Sequence, residues 1–188
     1  WSLRVGHGGP PCGGHSEIGF KLAQQKKNIL KHKSGKNNKS SRFIYANFTI
    51  QNNHGWRSQV SKLCKELDFI TYQQERLGYE DFFSEMCDHK MVLCPLGNAP
   101  HGQADNLRIY ETLYCGLVPI VFMDNQSILA ESLYSKLPII ILKSLQELND
   151  KELINEKYNQ VKKNKKEIIY YSYWLQEIEK KVKEMQGL

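Results

Sequence analysis

From Arg42 onward the chain alternates short, β-rich apolar runs with stretches of helical pattern, and that alternation leaves few folds open. The apolar runs fall at 43–48, 68–72, 91–94, 117–122 and 138–142, with helical stretches at 55–67, 79–89, 105–115 and 126–134. Strands that alternate with helices predict a parallel sheet covered by helices on both faces. Two runs, Val118-Pro119-Ile120-Val121-Phe122 and Ile139-Ile140-Ile141-Leu142, are apolar at every position, as central parallel strands are. With right-handed crossovers the expected architecture is an α/β, Rossmann-like doubly wound sheet.

The rest of the chain divides around this series. Residues 1–41 read as a Gly-rich loop, a first helix and a basic linker, residues 42–150 as the α/β domain, and residues 151–188 as helices packing on it. On the last segment Ile168, Tyr171, Trp174, Ile178, Val182 and Met185 recur every three or four residues, which makes one apolar helical stripe. The chain's 188 residues suffice for one domain with a substantial core and are too few for two full α/β domains. The chain opens on Trp1 rather than Met, so a chain processed, trimmed or cut from a longer one is expected. Its start therefore carries no address, and the cytoplasm and the Golgi lumen both remain open.

Charge argues against a nucleic-acid partner. The net charge of +6 comes from the two ends: residues 1–42 carry nine Lys or Arg against Glu17, whereas residues 43–150 carry eight basic and thirteen acidic side chains. A nucleic-acid binder more often places its basic stripe on the folded core. No apolar run approaches the ~20 residues of a membrane span. The five cysteines (Cys12, Cys64, Cys87, Cys94, Cys115) lack metal-ligand spacing, and a disulfide scaffold is not expected in a chain of this size, although one bridge stays open. His7, Cys12 and His15 lie in a Gly- and Pro-rich stretch whose spacing matches no standard zinc site, so no metal is expected. The sequons at Asn38, Asn47 and Asn125 are about what thirteen asparagines give by chance.

In an open α/β sheet the ligand sits beyond the carboxyl ends of the strands. The run at 91–94 leads into Pro95-Leu96-Gly97-Asn98, a loop through Gly102, and a helix from about Asp105. Glycine lets backbone approach an anion, and a helix start presents free N–H groups. Arg108 falls in the first turn, where a positive side chain opposes the helix dipole. Its placement makes sense if an anion is held there, because guanidinium grips phosphate in a forked geometry. Glu111, three residues on, shares its face and has the chemistry to hold ribose hydroxyls. The spacing equally suits an ordinary helix ion pair worth a few tenths of a kcal/mol.

The segment His89-Lys90-Met91-Val92-Leu93-Cys94-Pro95-Leu96-Gly97-Asn98, followed by Asp105-Asn106-Leu107-Arg108-Ile109-Tyr110-Glu111-Thr112-Leu113-Tyr114-Cys115-Gly116-Leu117-Val118-Pro119-Ile120-Val121, resembles the signature block of the exostosin-like glycosyltransferases. There a strand ending in Pro-x-Gly-Asn leads to Asp-x-x-Arg-x-x-Glu-Ala-Leu-x-x-Gly and an Ile-Pro-Ile-Val strand. The likeness extends through Leu133–Ile141 and Glu147–Leu153, and upstream to 43–49 and Trp56-Arg57, so it spans roughly Arg42 to Leu153. It departs from the family at Leu96 (usually Arg), Leu107 (usually His), a longer loop at 99–104, and Leu145 (usually Trp).

The resemblance implies the C-terminal, nucleotide-sugar-binding half of a GT-B enzyme, which transfers sugar from a nucleotide-diphosphate donor to a glycan or glycoprotein acceptor. Arg108 would contact the donor diphosphate and Glu111 the ribose. Gly97, Asn98 and Asp105 would line the donor pocket, while Gly116 and Pro119 would be structural. Enzymes of this arrangement generally need neither metal nor cofactor, and the acceptor site with any general base would belong to a missing N-terminal domain or partner chain, so no catalytic residue is assigned. Leu96 and Leu107 keep a second reading open, a catalytically inactive nucleotide-sugar-binding or scaffold module of the same fold. A different α/β nucleotide or phosphate enzyme is a third.

Overall fold

The computed structural model describes residues 42–51, 54–75, 77–95, 107–123, 134–164 and 171–186. Five parallel strands form one sheet: β1 (Arg42–Asn47), β2 (Ile70–Gln73), β3 (His89–Leu93), β4 (Val118–Phe122) and β5 (Ile140–Leu142), in the order β2-β1-β3-β4-β5. The α/β class and the parallel sheet are therefore as the alternation predicts. Helices α1 (His54–Glu66), α2 (Tyr79–Cys87), α3 (Leu107–Tyr114), α4 (Leu145–Leu148), α5 (Lys151–Val161) and α6 (Tyr171–Gln186) are the helical elements of the described residues that run more than one residue. The sequence-predicted segments at 1–41 and 96–106, most of the helix at 126–134, and Ile168 lie outside the described residues.

Strand side chains alternate between two cores, as the two-residue period of a strand requires. On one face Tyr45, Val92 and Val121 pack with Phe82, Phe83 and Met86 of α2 and Ile109 and Leu113 of α3. On the other, Ile44, Met91, Ile120 and Ile140 pack with Val60 and Cys64 of α1, Leu148 of α4 and Ile154 of α5. Helices thus cover both faces, and β4 is buried along its whole length.

Pro119 sits inside β4 although proline cannot donate to a ladder. The Cys94 N–H donates to the Ile120 carbonyl at 2.8 Å, so even-numbered residues of β4 face β3 and Pro119 faces β5. Pairing with β5 begins only at Ile120, opposite Ile140, so the missing N–H breaks no ladder bond. Helix α3 ends by a comparable local rule. The Gly116 N–H donates to Leu113 O at 2.9 Å and the Leu117 N–H to Thr112 O at 3.1 Å, with Gly116 at φ 71°. Such a closure needs a left-handed residue, which glycine adopts without a Cβ penalty. Gly116 is exposed, so its backbone conformation rather than helix-to-strand packing accounts for the glycine.

The predicted helix at 79–89 is shorter than its pattern. It stops at Cys87, because His89 pairs with Arg42 and opens β3. Further on, Asp150 caps α5 by accepting from the Leu153 N–H at 2.8 Å, and Lys157 Nζ ties α5 to β5 through the Ile141 carbonyl at 3.0 Å. Helix α6 differs: Ile178, Val182 and Met185 of its apolar stripe are exposed. Cys64, Cys87, Cys94 and Cys115 are all free thiols. No helix among the described residues is long and apolar enough to cross a membrane.

Candidate functional site

The strand order reverses at β1: β2 lies on one side, while β3, β4 and β5 follow on the other. The chain leaving β1 and the chain leaving β3 therefore part company at their carboxyl ends, which is where open α/β sheets form a ligand crevice. Two arginines come from the helices that follow these strands. Arg57 belongs to the start of α1 and Arg108 to the first turn of α3.

Arg108 is held by its neighbours but not satisfied by them. Its guanidinium lies 3.7 Å from the centre of the Phe82 ring, and Nε is 3.4 Å from Glu111 Oε2. Its backbone carbonyl accepts from Thr112 Oγ1 at 2.7 Å. Nη1, however, is buried without an acceptor. A buried N–H with no acceptor carries most of the cost of desolvation, so native structures keep few of them. Glu111 is more enclosed than Arg108, with 14% of its side chain exposed against 30%. Burial pushes its carboxyl above the usual range, and the Arg108 charge only partly opposes this.

Arg57 donates from Nη1 to the Thr49 carbonyl at 3.0 Å, just past the end of β1, and stands 5.8 Å from the Phe48 ring centre. Its pKa is lowered first by burial and then by the positive charge of Arg108. Beside it Trp56 meets Phe122, the last residue of β4, edge to face at 5.3 Å, and its indole Nε1 is buried without an acceptor. Tyr45 supports the floor of this region. Its hydroxyl donates to Gln73 Oε1 at 2.8 Å, and burial, with the Glu85 charge, raises its pKa to about 12, so it stays a neutral phenol.

Of the residues singled out in the sequence, Arg108 and Glu111 are brought together as their spacing requires, while Gly97, Asn98 and Asp105 lie outside the described residues. Arg57 and Trp56 were assigned no role by the sequence. The signal that marks Arg108, a cation at a helix start beyond a strand, marks Arg57 as well. Cys94, under Arg108, is not a nucleophile: burial lifts its thiol to about 12, and the hydroxyl of Thr112 lies 3.9 Å from its sulfur. Among the described residues no group of three or more His, Cys, Asp or Glu is placed to hold a metal ion.

No known family model and no curated protein matches the chain.

Proposed function

We propose that this chain binds a nucleotide-diphosphate sugar at the switch point between β1 and β3, as the Rossmann-like donor half of a GT-B, exostosin-like glycosyltransferase. The observation that carries the reading is Arg108 in the first turn of the helix that follows β3, with its Nη1 buried and left without an acceptor. A bound diphosphate supplies the missing acceptor. The signature-like block around Arg108 and Glu111 supports the same reading from the sequence.

In this reading Arg108 and Arg57 hold the diphosphate and stabilise the charge that grows on it as the glycosidic bond breaks. Fixed donors in a partly desolvated crevice favour that charge more than they would in water. Glu111 accepts from ribose hydroxyls, and its carboxylate is oriented by Arg108. The acceptor and any general base come from a second domain, as the resemblance to the donor half of a GT-B enzyme implies. A catalytically inactive donor-binding module is the second reading, favoured by Leu96 and Leu107 where the family has Arg and His.

The test is calorimetric titration with nucleoside diphosphates, followed by mass spectrometry after incubation with nucleotide-sugars and glycan acceptors. Saturable binding is expected, tighter for ribonucleoside than deoxyribonucleoside diphosphates, together with slow donor hydrolysis at most. Absence of nucleoside diphosphate binding overturns the proposal. Efficient transfer by this chain alone overturns the two-domain part of it.

A further inference from the structure

We infer that Trp56 is a ligand-positioning residue of this crevice, whose indole N–H donates to a phosphate oxygen of the bound diphosphate. The inference rests on the donor-site reading above and adds a contact that neither the sequence motif nor the arginines supply.

Indole N–H and guanidinium N–H groups only donate; neither has a lone pair to offer. At the carboxyl end of the sheet, Trp56 Nε1 and Arg108 Nη1 are both buried without acceptors, and Arg57 follows Trp56 on the same helix. A ligand that complements such a set must accept several hydrogen bonds and donate none. Ionised phosphate does so, whereas a sugar hydroxyl would bring a donor of its own into a place already crowded with donors.

The fold gives the indole a defined aim. Trp56 lies in the first turn of α1, the helix that follows β1, yet its ring packs edge-on against Phe122 at the end of β4. The side chain therefore reaches along the carboxyl edge of the sheet past β3. Trp56 belongs to the core layer on the α1 face, and Arg108 guards the opposite face against Phe82. A diphosphate at the switch point meets donors from both layers. Phenylalanine could supply the contact with Phe122, so packing alone does not account for the buried N–H.

The experiment uses the whole chain with tryptophan labelled by 15N at the indole nitrogen. The three tryptophans, Trp1, Trp56 and Trp174, give three indole signals, assigned with Trp1→Phe and Trp174→Phe variants. Inorganic diphosphate alone is expected to move the Trp56 signal downfield, and an unphosphorylated nucleoside is expected to leave it in place. In parallel, Trp56→Phe should weaken nucleoside diphosphate binding by about tenfold, the size of a hydrogen bond to a charged group. A Trp56 signal that stays put at saturating nucleoside diphosphate overturns the inference while leaving the donor-site reading intact. Unchanged affinity in a folded Trp56→Phe variant does the same, as does a signal that responds to the nucleoside and not to diphosphate. If the wild-type chain binds no nucleoside diphosphate, both readings fall together. Should Trp56→Phe fail to fold, the wild-type spectra alone decide.

Discussion

The two ends of the same sheet use similar residues to opposite effect. At the amino end, where Arg42 pairs with His89 in register, Arg42 Nη1 lies 3.0 Å from Glu85 Oε2, with 52% and 36% of the two side chains exposed. His89 is fully buried, its Nδ1 2.8 Å from the Glu85 carbonyl and its ring stacked near Tyr45. With the proton on Nδ1, the buried Nε2 is a bare acceptor, which costs less to leave unpaired than a charged donor. The carboxyl end also sets an arginine beside a glutamate and an aromatic ring, but there Arg108 Nη1 is buried without an acceptor. Wherever stability alone sets the arrangement, charges are paired or wet. The carboxyl end departs from that rule at Arg108 Nη1, the observation behind the proposed donor site.

The largest expected effect separates the two arginines directly. Arg108→Ala should lower nucleoside diphosphate affinity by at least about tenfold, while Arg42→Ala leaves it unchanged. Calorimetry on both variants breaks the comparison if they behave alike. A smaller effect is expected from Glu111→Gln: severalfold weaker ribonucleotide binding, with stability moved by no more than a few tenths of a kcal/mol, the scale of a helix ion pair. Unaltered binding would return Glu111 to the role of an ordinary partner for Arg108.

The smallest effect is a slope. Burial lowers the pKa of His89 below its usual 6.5, so at acid pH the unfolded chain takes up a proton that the folded chain resists. Its contribution to stability is present above about pH 6.5 and is lost as pH falls through that value. Glu111 runs the other way. Its carboxyl is raised on folding, so its contribution is present at acid pH and is lost as pH rises through the folded value. Urea unfolding between about pH 7.5 and pH 5.5 should show the wild type losing more stability to acid than His89→Asn, which keeps a donor near the Nδ1 position. Equal slopes in wild type and His89→Asn would show that the amino end is not neutral at His89.

Much of this molecule is legible from its sequence because strand periodicity and apolar run length are local signals. All five strands lie within about two residues of the apolar runs, and Arg108 with Glu111 could be picked out because a first-turn arginine is locally unfavourable. Boundaries decided by pairing partners are a different matter. The residues before β3 have helical pattern, and only the register of His89 against Arg42 ends α2 at Cys87. Arg57 and Trp56 escaped for a related reason. Their meaning comes from Arg108 and Phe122, far along the chain, and no window around position 56 contains either.

The thiols make a last point, about how the molecule can be watched. Cys64 on the inner face of α1 and Cys94 beside α3 are both buried, and burial lifts each to about 12, whereas Cys87 at the end of α2 is half-buried. Alkylating reagents attack only thiolate that solvent can reach, so Cys64 and Cys94 react when their surroundings open and not before. The chain carries its own clocks, one on either side of the sheet. Since Cys94 lies near Thr112 and Arg108 of α3 and Cys64 lies on the other face, the ratio of their labelling rates reports whether a ligand at the proposed site steadies the whole domain or only the α3 side.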